Sequence, residues 1–207
     1  MKKYLLTAEL LLLFIAAPLL FYLDLIPGPK SVPLLLAFVY CFLVLMLDKS
    51  FDRKMLGANR FRGFGHILKR FALTAALLTL YILIFEPENL FIIPRERPAL
   101  WLAIMVFYPI WSALPQELIF RVFFFHRYHL IISNPNVLVL INALLFAYMH
   151  IIFNNWIALA GGFIIGIFWA QTYLRTKSLL TVSAEHAIYG NLVYTIGMGH
   201  YFYVPDF

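Results

Sequence analysis

The chain has 207 residues, of which 63% are hydrophobic and 13% are charged, and its formal net charge is +6. Soluble domains are on average about 45–50% apolar and about 25% charged, so a soluble core of this size cannot bury the excess. The basic residues lie in short loops between apolar runs, which predicts orientation in a lipid bilayer and excludes nucleic acid as a partner. Cys41 is the only cysteine, so a disulfide framework and a multi-cysteine metal site are excluded. The composition therefore predicts an all-α, polytopic transmembrane helical bundle, with residues 1–207 as a single membrane domain.

Three apolar runs occupy the N-terminal part, at residues 4–23, 32–47 and about 66–85. The first run begins like a signal peptide, but it continues past a small-residue pair that resembles a cleavage site. We therefore expect a retained transmembrane helix. Residues 48–70, between the second and third runs, carry seven lysines and arginines and three glycines. This segment is predicted to be a cytoplasmic loop with a short interfacial helix.

The segment 99–132 admits two interpretations. The apolar stretches on either side of Pro115, Gln116 and Glu117 form either one long kinked helix or two helices joined by a tight turn. A single helix puts the later basic loops on the same side as the basic N-terminus, so the positive-inside rule favours this arrangement, which has seven crossings; two helices give eight. A proline-punctuated loop at 86–98 precedes this segment, and apolar runs at 137–153, 156–173 and 179–196 follow it.

Ionisable side chains inside these runs are the strongest functional signal, because each costs about 2.5–3.5 kcal/mol at the bilayer centre. The polar residues concerned are Glu117, Arg121, His150, Glu185, His186 and Asn191. Glu117 and Arg121 share one helix face at a spacing of four residues, which indicates either a structural ion pair or part of a catalytic group. His150 ends the run 137–153, where it is either a hydrogen-bonded core residue or a functional histidine.

A carboxylate together with two histidines has the chemistry to activate a water molecule and to stabilise the oxyanion that develops. The same three groups can also bind zinc with one open position, although the HExxH signature is absent. No Ser-His-Asp or Cys-His arrangement is indicated. Gly162 and Gly166 form a small-xxx-small pattern, to which we assign a structural role in close helix packing.

Three motifs in order resemble those of the CPBP family, which comprises the CAAX proteases and bacteriocin-processing enzymes and is also called the Abi family. The motifs are Gln116-Glu117-x-x-x-Arg121, Phe146-x-x-x-His150, and His186 with Asn191. The resemblance covers about residues 99–200, which it identifies as the catalytic core, while residues 1–98 supply N-terminal helices. It implies a glutamate-type intramembrane endopeptidase. In this family a glutamate and the histidine at His150 activate the water, and the groups at His186 and Asn191 hold the oxyanion.

Two positions depart from the family pattern. Gln116 stands where the family has the first glutamate of a pair, the one most often given the catalytic role, and an amide cannot act as a base. Either Glu117 takes this role, Glu185 contributes, or the protein does not hydrolyse peptides. In addition, Asn191 lies five residues after His186, whereas four is usual, and Gly190 occupies that position. Each residue turns a helix by about 100°, so Asn191 points in a different direction from an asparagine placed four residues after the histidine.

The resemblance implies no cofactor, and the residues leave a divalent metal open. The expected partners are the lipid bilayer and a peptide or protein substrate with a hydrophobic or lipidated tail, and the expected location is a prokaryotic plasma membrane, as a multi-pass protein. Two alternatives remain: a non-catalytic scaffold or immunity factor of the same fold, suggested by Gln116, and a small transporter that uses the buried charges as a relay. The absence of an internal sequence repeat argues against the transporter.

One geometric expectation concerns depth in the membrane. With seven crossings, His150 lies about 21 Å and His186 about 12 Å along their helices from the cytoplasmic ends, while Glu117 lies near the cytoplasmic edge. These depths converge only if the helices tilt or the segment 99–132 bends at Pro115.

Overall fold

A computed structural model describes residues 2–26, 29, 31–57 and 64–202. Within these ranges the regular structure is entirely helical, which confirms the predicted all-α class. The long helices are α1 (2–22), α2 (Ser31–Leu47), α3 (Phe64–Phe85), α4 (Pro98–Tyr128), α5 (Pro135–Met149), α6 (Trp156–Thr176) and α7 (Leu179–Ile196).

Five of these helical segments are long and apolar enough to cross a membrane. They are Lys3–Tyr22, Gly65–Phe85, Pro98–Tyr128, Pro135–Phe153 and Trp156–Thr176. The helix α2 is apolar but shorter, and α7 has 18 residues that include the polar group around His186. Since a hydrocarbon core of about 30 Å takes about 20 helical residues, the bundle is that of a polytopic membrane protein, as predicted.

The helix α4 runs for 31 residues without a break and passes through Pro115. Wide π-helical turns at Pro109–Ala113 and Leu118–Phe123 lie on either side of this proline. A proline lacks the N–H for a helical hydrogen bond, and such turns accommodate the interruption without ending the helix. The tight turn required for eight crossings is therefore absent, and the described part of the chain has the single kinked helix that the positive-inside rule favours.

The connections between helices differ in part from the sequence predictions. The loop 86–98 contains a short helix, Ile92–Glu96, and α5 continues as a 3₁₀ turn, His150–Phe153. In the basic segment 48–70, a 3₁₀ turn at Arg53–Leu56 is the short helical element. The predicted positions Arg60, Arg62 and Gly63 lie outside the described residues, as does Tyr203.

Side-chain caps fix where the last three helices begin. Asn134 Oδ1 accepts hydrogen bonds from the backbone N–H groups of Asn136 and Val137 at 2.9 and 3.3 Å, which caps α5. Asn155 and Ser178 cap α6 and α7 in the same way. An oxygen in this position accepts hydrogen bonds from N–H groups that the start of a helix otherwise leaves unpaired. These three polar residues therefore determine where α5, α6 and α7 begin.

The glycines of α6 allow α5 to approach closely. A Cβ atom built on Gly166 would lie 3.1 Å from Ala143 Cα, and one on Gly162 would lie 3.2 Å from Ala147 Cα. The structural role predicted for the small-xxx-small pattern is therefore confirmed. A Cβ on Gly162 would also lie 3.3 Å from His150 Nδ1, so the glycine leaves room for the His150 ring against α6.

Candidate active site

A cavity of about 800 Å³ lies inside the helical bundle. Its wall is mostly apolar and includes side chains from α1, α2 and α3 as well as from the C-terminal helices. The polar and ionisable side chains that line it are Arg70, Thr74, Tyr108, Ser112, Gln116, His150, His186, Tyr189 and Tyr194. Three of the predicted site residues, Gln116, His150 and His186, therefore face one common space.

Glu117 lies behind His186 and does not line the cavity. Its side chain is fully buried, and His186 Nδ1 lies 2.8 Å from Glu117 Oε1. Because an ionised carboxylate can only accept, the imidazole carries its hydrogen on Nδ1 and presents Nε2 away from the carboxylate. The indole of Trp169 stacks on the imidazole at 3.9 Å between ring centroids and holds the ring plane.

The ion pair predicted from the spacing of Glu117 and Arg121 is present. Arg121 Nε lies 3.2 Å from Glu117 Oε2, although without the alignment of a hydrogen bond, and both side chains are 0% exposed. Arg121 also donates from NH1 to Asn142 Oδ1 at 2.6 Å and lies over the Phe146 ring. Asn142 in turn donates to Phe120 O, at 2.5 Å. This network holds the carboxylate of Glu117 in place beneath His186.

The expected mismatch in depth is not found, because Glu117 and His186 contact each other directly. The two π-helical turns of α4 lie immediately before and after the segment Leu114–Glu117. Each such turn inserts one extra residue and so rotates the helix that follows relative to a regular α-helix. Convergence was expected only with tilted helices or a bend at Pro115, and the two π-helical turns lie on either side of that proline.

His150 is the first residue of the 3₁₀ turn that follows α5. Its Nδ1 lies 2.7 Å from Phe146 O, a carbonyl that can only accept, so Nδ1 carries the hydrogen and Nε2 keeps its lone pair. The Phe146 ring contacts both histidines, with centroid distances of 4.9 Å to His150 and 6.1 Å to His186. The second motif therefore places an aromatic ring between two imidazoles on the cavity wall.

Gln116 faces the cavity beside Ser112, one helical turn earlier. Its Nε2 lies 2.9 Å from Ser112 Oγ, and its Oε1 is buried with no hydrogen-bond partner among the described residues. Since the serine hydroxyl can donate as well as accept, the two ends of the carboxamide can exchange places without loss of this bond. Gln116 therefore has one unpaired polar atom in its carboxamide, and this group cannot act as a base.

Asn191 and Glu185 are not brought to the cavity. Asn191 Nδ2 donates to Met105 O at 3.3 Å, which ties α7 to α4. Glu185 Oε1 lies 2.7 Å from Arg70 NH2, and Arg70 also donates to Thr172 Oγ1 at 2.6 Å. This second, partly buried network joins α3, α6 and α7, so the carboxylate of Glu185 has an interhelical partner and makes no hydrogen bond to either histidine.

Three residues at the site were missed by sequence reasoning. Tyr108 OH lies 2.9 Å from His186 Nε2, Trp169 stacks on the same ring, and Asn142 holds Arg121. Asn142 carried a signal, because an amide inside an apolar run needs a partner. Tyr108 and Trp169 carried none, since aromatic residues are ordinary in membrane helices.

The remaining histidines lie away from the cavity. His126 Nε2 contacts Asp48 Oδ2 at 3.0 Å, and hydrogen bonds from Ser50 and His126 hold the pKa of Asp48 well below its usual range. His129 Nδ1 lies 3.1 Å from Phe125 O. His200 contacts Glu86 at 3.4 Å. Across the described ranges, no group of three or more His, Cys, Asp or Glu side chains is placed to hold a metal ion.

Comparison with known proteins finds one similarity, in the C-terminal part of the chain. Residues 98–192 match the family described as Rce1-like, type II CAAX prenyl endopeptidase. Neither a curated protein nor a solved structure gives a significant match. The family match covers α4, α5, α6, most of α7 and all the motif residues, and it supports an intramembrane endopeptidase as the general class. Residues 98–192 of this membrane protein are therefore similar to the Rce1-like domain of the CAAX protease family.

Proposed function

We propose that this protein is an intramembrane endopeptidase that hydrolyses a peptide bond of a membrane-associated substrate. One observation carries the proposal: two histidines line the same space, each has its Nδ1 next to an acceptor that leaves Nε2 as the basic nitrogen, and for His186 that acceptor is a buried carboxylate. A histidine oriented by a carboxylate is a recurrent general base in peptide hydrolysis.

In the proposed reaction, a water molecule donates one hydrogen to His186 Nε2 and the other to His150 Nε2. Its oxygen attacks the carbonyl carbon, and the proton passes to His186, whose positive charge is stabilised by Glu117. The same proton then goes to the amine that leaves. The family resemblance gives water activation to His150; we assign the proton transfer to His186 because the carboxylate lies there.

The substrate is proposed to be a polypeptide with a hydrophobic or lipidated tail. Residues 99–200 form the catalytic core, and the N-terminal helices add an apolar wall through side chains such as Phe14, Leu34 and Leu77. A cavity of about 800 Å³ with such a wall favours an apolar chain over a polar one. The proposed location is a prokaryotic plasma membrane.

Replacing His150 with alanine is expected to lower kcat by about 10²-fold or more, because the attacking water loses one of its two acceptors. The measurement uses purified protein in proteoliposomes with two probes, a farnesylated C-terminal peptide and a peptide with a hydrophobic, unmodified tail. Cleavage products are detected by mass spectrometry.

The matched control is His129→Ala. His129 makes the same type of bond as His150, from Nδ1 to the carbonyl four residues earlier, but it lies outside the cavity. We expect this variant to cleave at the wild-type rate. Equal cleavage by the His150→Ala variant, with both proteins folded, would contradict the proposed role.

A non-catalytic protein of the same fold is the second candidate, and it is favoured by the carboxamide of Gln116 at the cavity wall. Gln116→Glu separates the two candidates. In an active site adapted to an amide, a carboxylate adds negative charge next to the developing oxyanion, so kcat should fall. In an inactive site, the same change supplies the missing base, and cleavage should appear where the wild-type protein shows none.

A further inference from the structure

The proposed reaction needs hydrogen-bond donors for the oxyanion, and the two histidines do not supply them. Both imidazoles use their N–H groups elsewhere, His150 on Phe146 O and His186 on Glu117. The carboxamide of Asn191 is engaged with Met105 O and does not line the cavity. The donor must therefore come from another residue on the cavity wall, since oxyanion stabilisation is usually the largest single contribution to such a reaction.

Tyr108 is the donor on the cavity wall that is hydrogen-bonded to His186. Its hydroxyl lies 2.9 Å from His186 Nε2, the atom at which the water is to be activated. Because His186 carries its hydrogen on Nδ1, Nε2 accepts, and the phenol donates to it when no substrate is bound. The hydroxyl therefore lies at the reaction centre with a hydrogen that can change partner.

Gly190 explains how the Tyr108 ring fits there. A Cβ atom built on Gly190 would collide with the Tyr108 ring and hydroxyl. Gly190 lies four residues after His186, so the two share one face of α7. The phenol occupies the space that a side chain at position 190 would need, and the Tyr194 ring packs against it at 5.7 Å between centroids.

We propose that Tyr108 is the oxyanion donor of this site, and this assignment rests on the proposed function. When water binds at His186 Nε2, the phenolic hydrogen turns from that nitrogen to the carbonyl oxygen of the scissile bond. As the water oxygen bonds to carbon, the electron pair of the C=O bond moves to oxygen, and Tyr108 stabilises that charge without losing its proton. The hydrogen bond from Tyr108 to the charged oxyanion is stronger than the neutral bond to His186 that it replaces. Tyr108 therefore stabilises the transition state more than the ground state.

Tyr108→Phe tests the assignment, because it keeps the ring over Gly190 and removes only the hydroxyl. In proteoliposomes with the two peptide probes, kcat is expected to fall by about 10²- to 10³-fold while KM changes little. The control is Tyr128→Phe, on the same helix, where a fully buried tyrosine contacts Glu9 away from the cavity. It is expected to keep the wild-type kcat.

A pair of variants provides a second test. Tyr108→Ala removes the donor and empties the space beside Gly190, and Tyr108→Ala with Gly190→Asn places an amide donor in that space. The double variant is expected to be at least about tenfold faster than Tyr108→Ala, since an asparagine is a competent oxyanion donor. Gly190→Asn alone should be destabilised by its collision with the Tyr108 ring.

The outcomes separate this assignment from the proposed function. Wild-type cleavage that Tyr108→Phe leaves unchanged, or slows only through KM, overturns the assignment of Tyr108 alone. A folded double variant that is no faster than Tyr108→Ala also counts against it. Lack of cleavage by the wild-type protein with either probe contradicts the proposed function, and the assignment falls with it.

Discussion

Glu117→Gln is expected to lower kcat by about 10⁴-fold, the largest catalytic effect that the site predicts. The carboxylate of Glu117 accepts from His186 Nδ1 at 2.8 Å and thereby keeps Nε2 unprotonated. A glutamine amide can instead donate to Nδ1, which moves the ring hydrogen to Nε2 and removes the base. The measurement is kcat per folded protein, because the change also leaves Arg121 without its anionic partner.

A double variant tests whether Glu117 and His186 act as one unit. If they do, Glu117→Gln combined with His186→Ala should be no slower than His186→Ala alone, because the carboxylate has no function without the imidazole. Independent, multiplicative losses would contradict the proposed base. Glu9→Gln is the matched control, since Glu9 is also a carboxylate in an interhelical ion pair, with Arg127 at 2.8 Å. Its kcat should stay at the wild-type level.

Arg121→Met is expected to lower the free energy of unfolding by about 3–5 kcal/mol, because it leaves the charge of Glu117 buried without its cation. Both partners are 0% exposed, so water cannot compensate. The loss of the hydrogen bond to Asn142 Oδ1 adds to the effect. The measurement is chemical unfolding in mixed detergent micelles.

Two further variants isolate the ion pair in this measurement. Glu117→Gln with Arg121→Met should recover most of the lost stability, because neither charge then remains buried alone. Arg127→Met should cost about 1 kcal/mol or less, since its pair with Glu9 is partly exposed, with 27% of the arginine side chain accessible. A loss for Arg127→Met as large as that for Arg121→Met would refute the argument from burial.

Much of the architecture could be predicted from the sequence because apolar run length and spacing are local properties. The i, i+4 spacing predicted the contact between Glu117 and Arg121, and the small-xxx-small pattern predicted the packing of α6 on α5. The position of His150 at the end of its run also agreed with the structure. Whether the residues named as catalytic have those roles stays a prediction.

What the sequence could not provide was the partner of each polar group on another helix. The contacts of Glu185 with Arg70 and of Tyr108 with His186 join residues 115 and 78 positions apart. No periodicity encodes such pairs. The spacing of five residues between His186 and Asn191 already indicated that the two side chains point in different directions. In the structure, the Asn191 side chain donates a hydrogen bond to Met105 O.

The length of α4 has a consequence for how the protein sits in its membrane. At about 1.5 Å per residue, 31 residues extend over about 46 Å, whereas the hydrocarbon core is about 30 Å thick and the 17-residue α2 covers only about 25 Å. Such hydrophobic mismatch is relieved by tilting the long helix and thinning the bilayer around the short one. Because α4 carries Tyr108 and Glu117 while the histidines belong to the α5 and α7 segments, we expect the rate of cleavage to depend on the thickness of the bilayer.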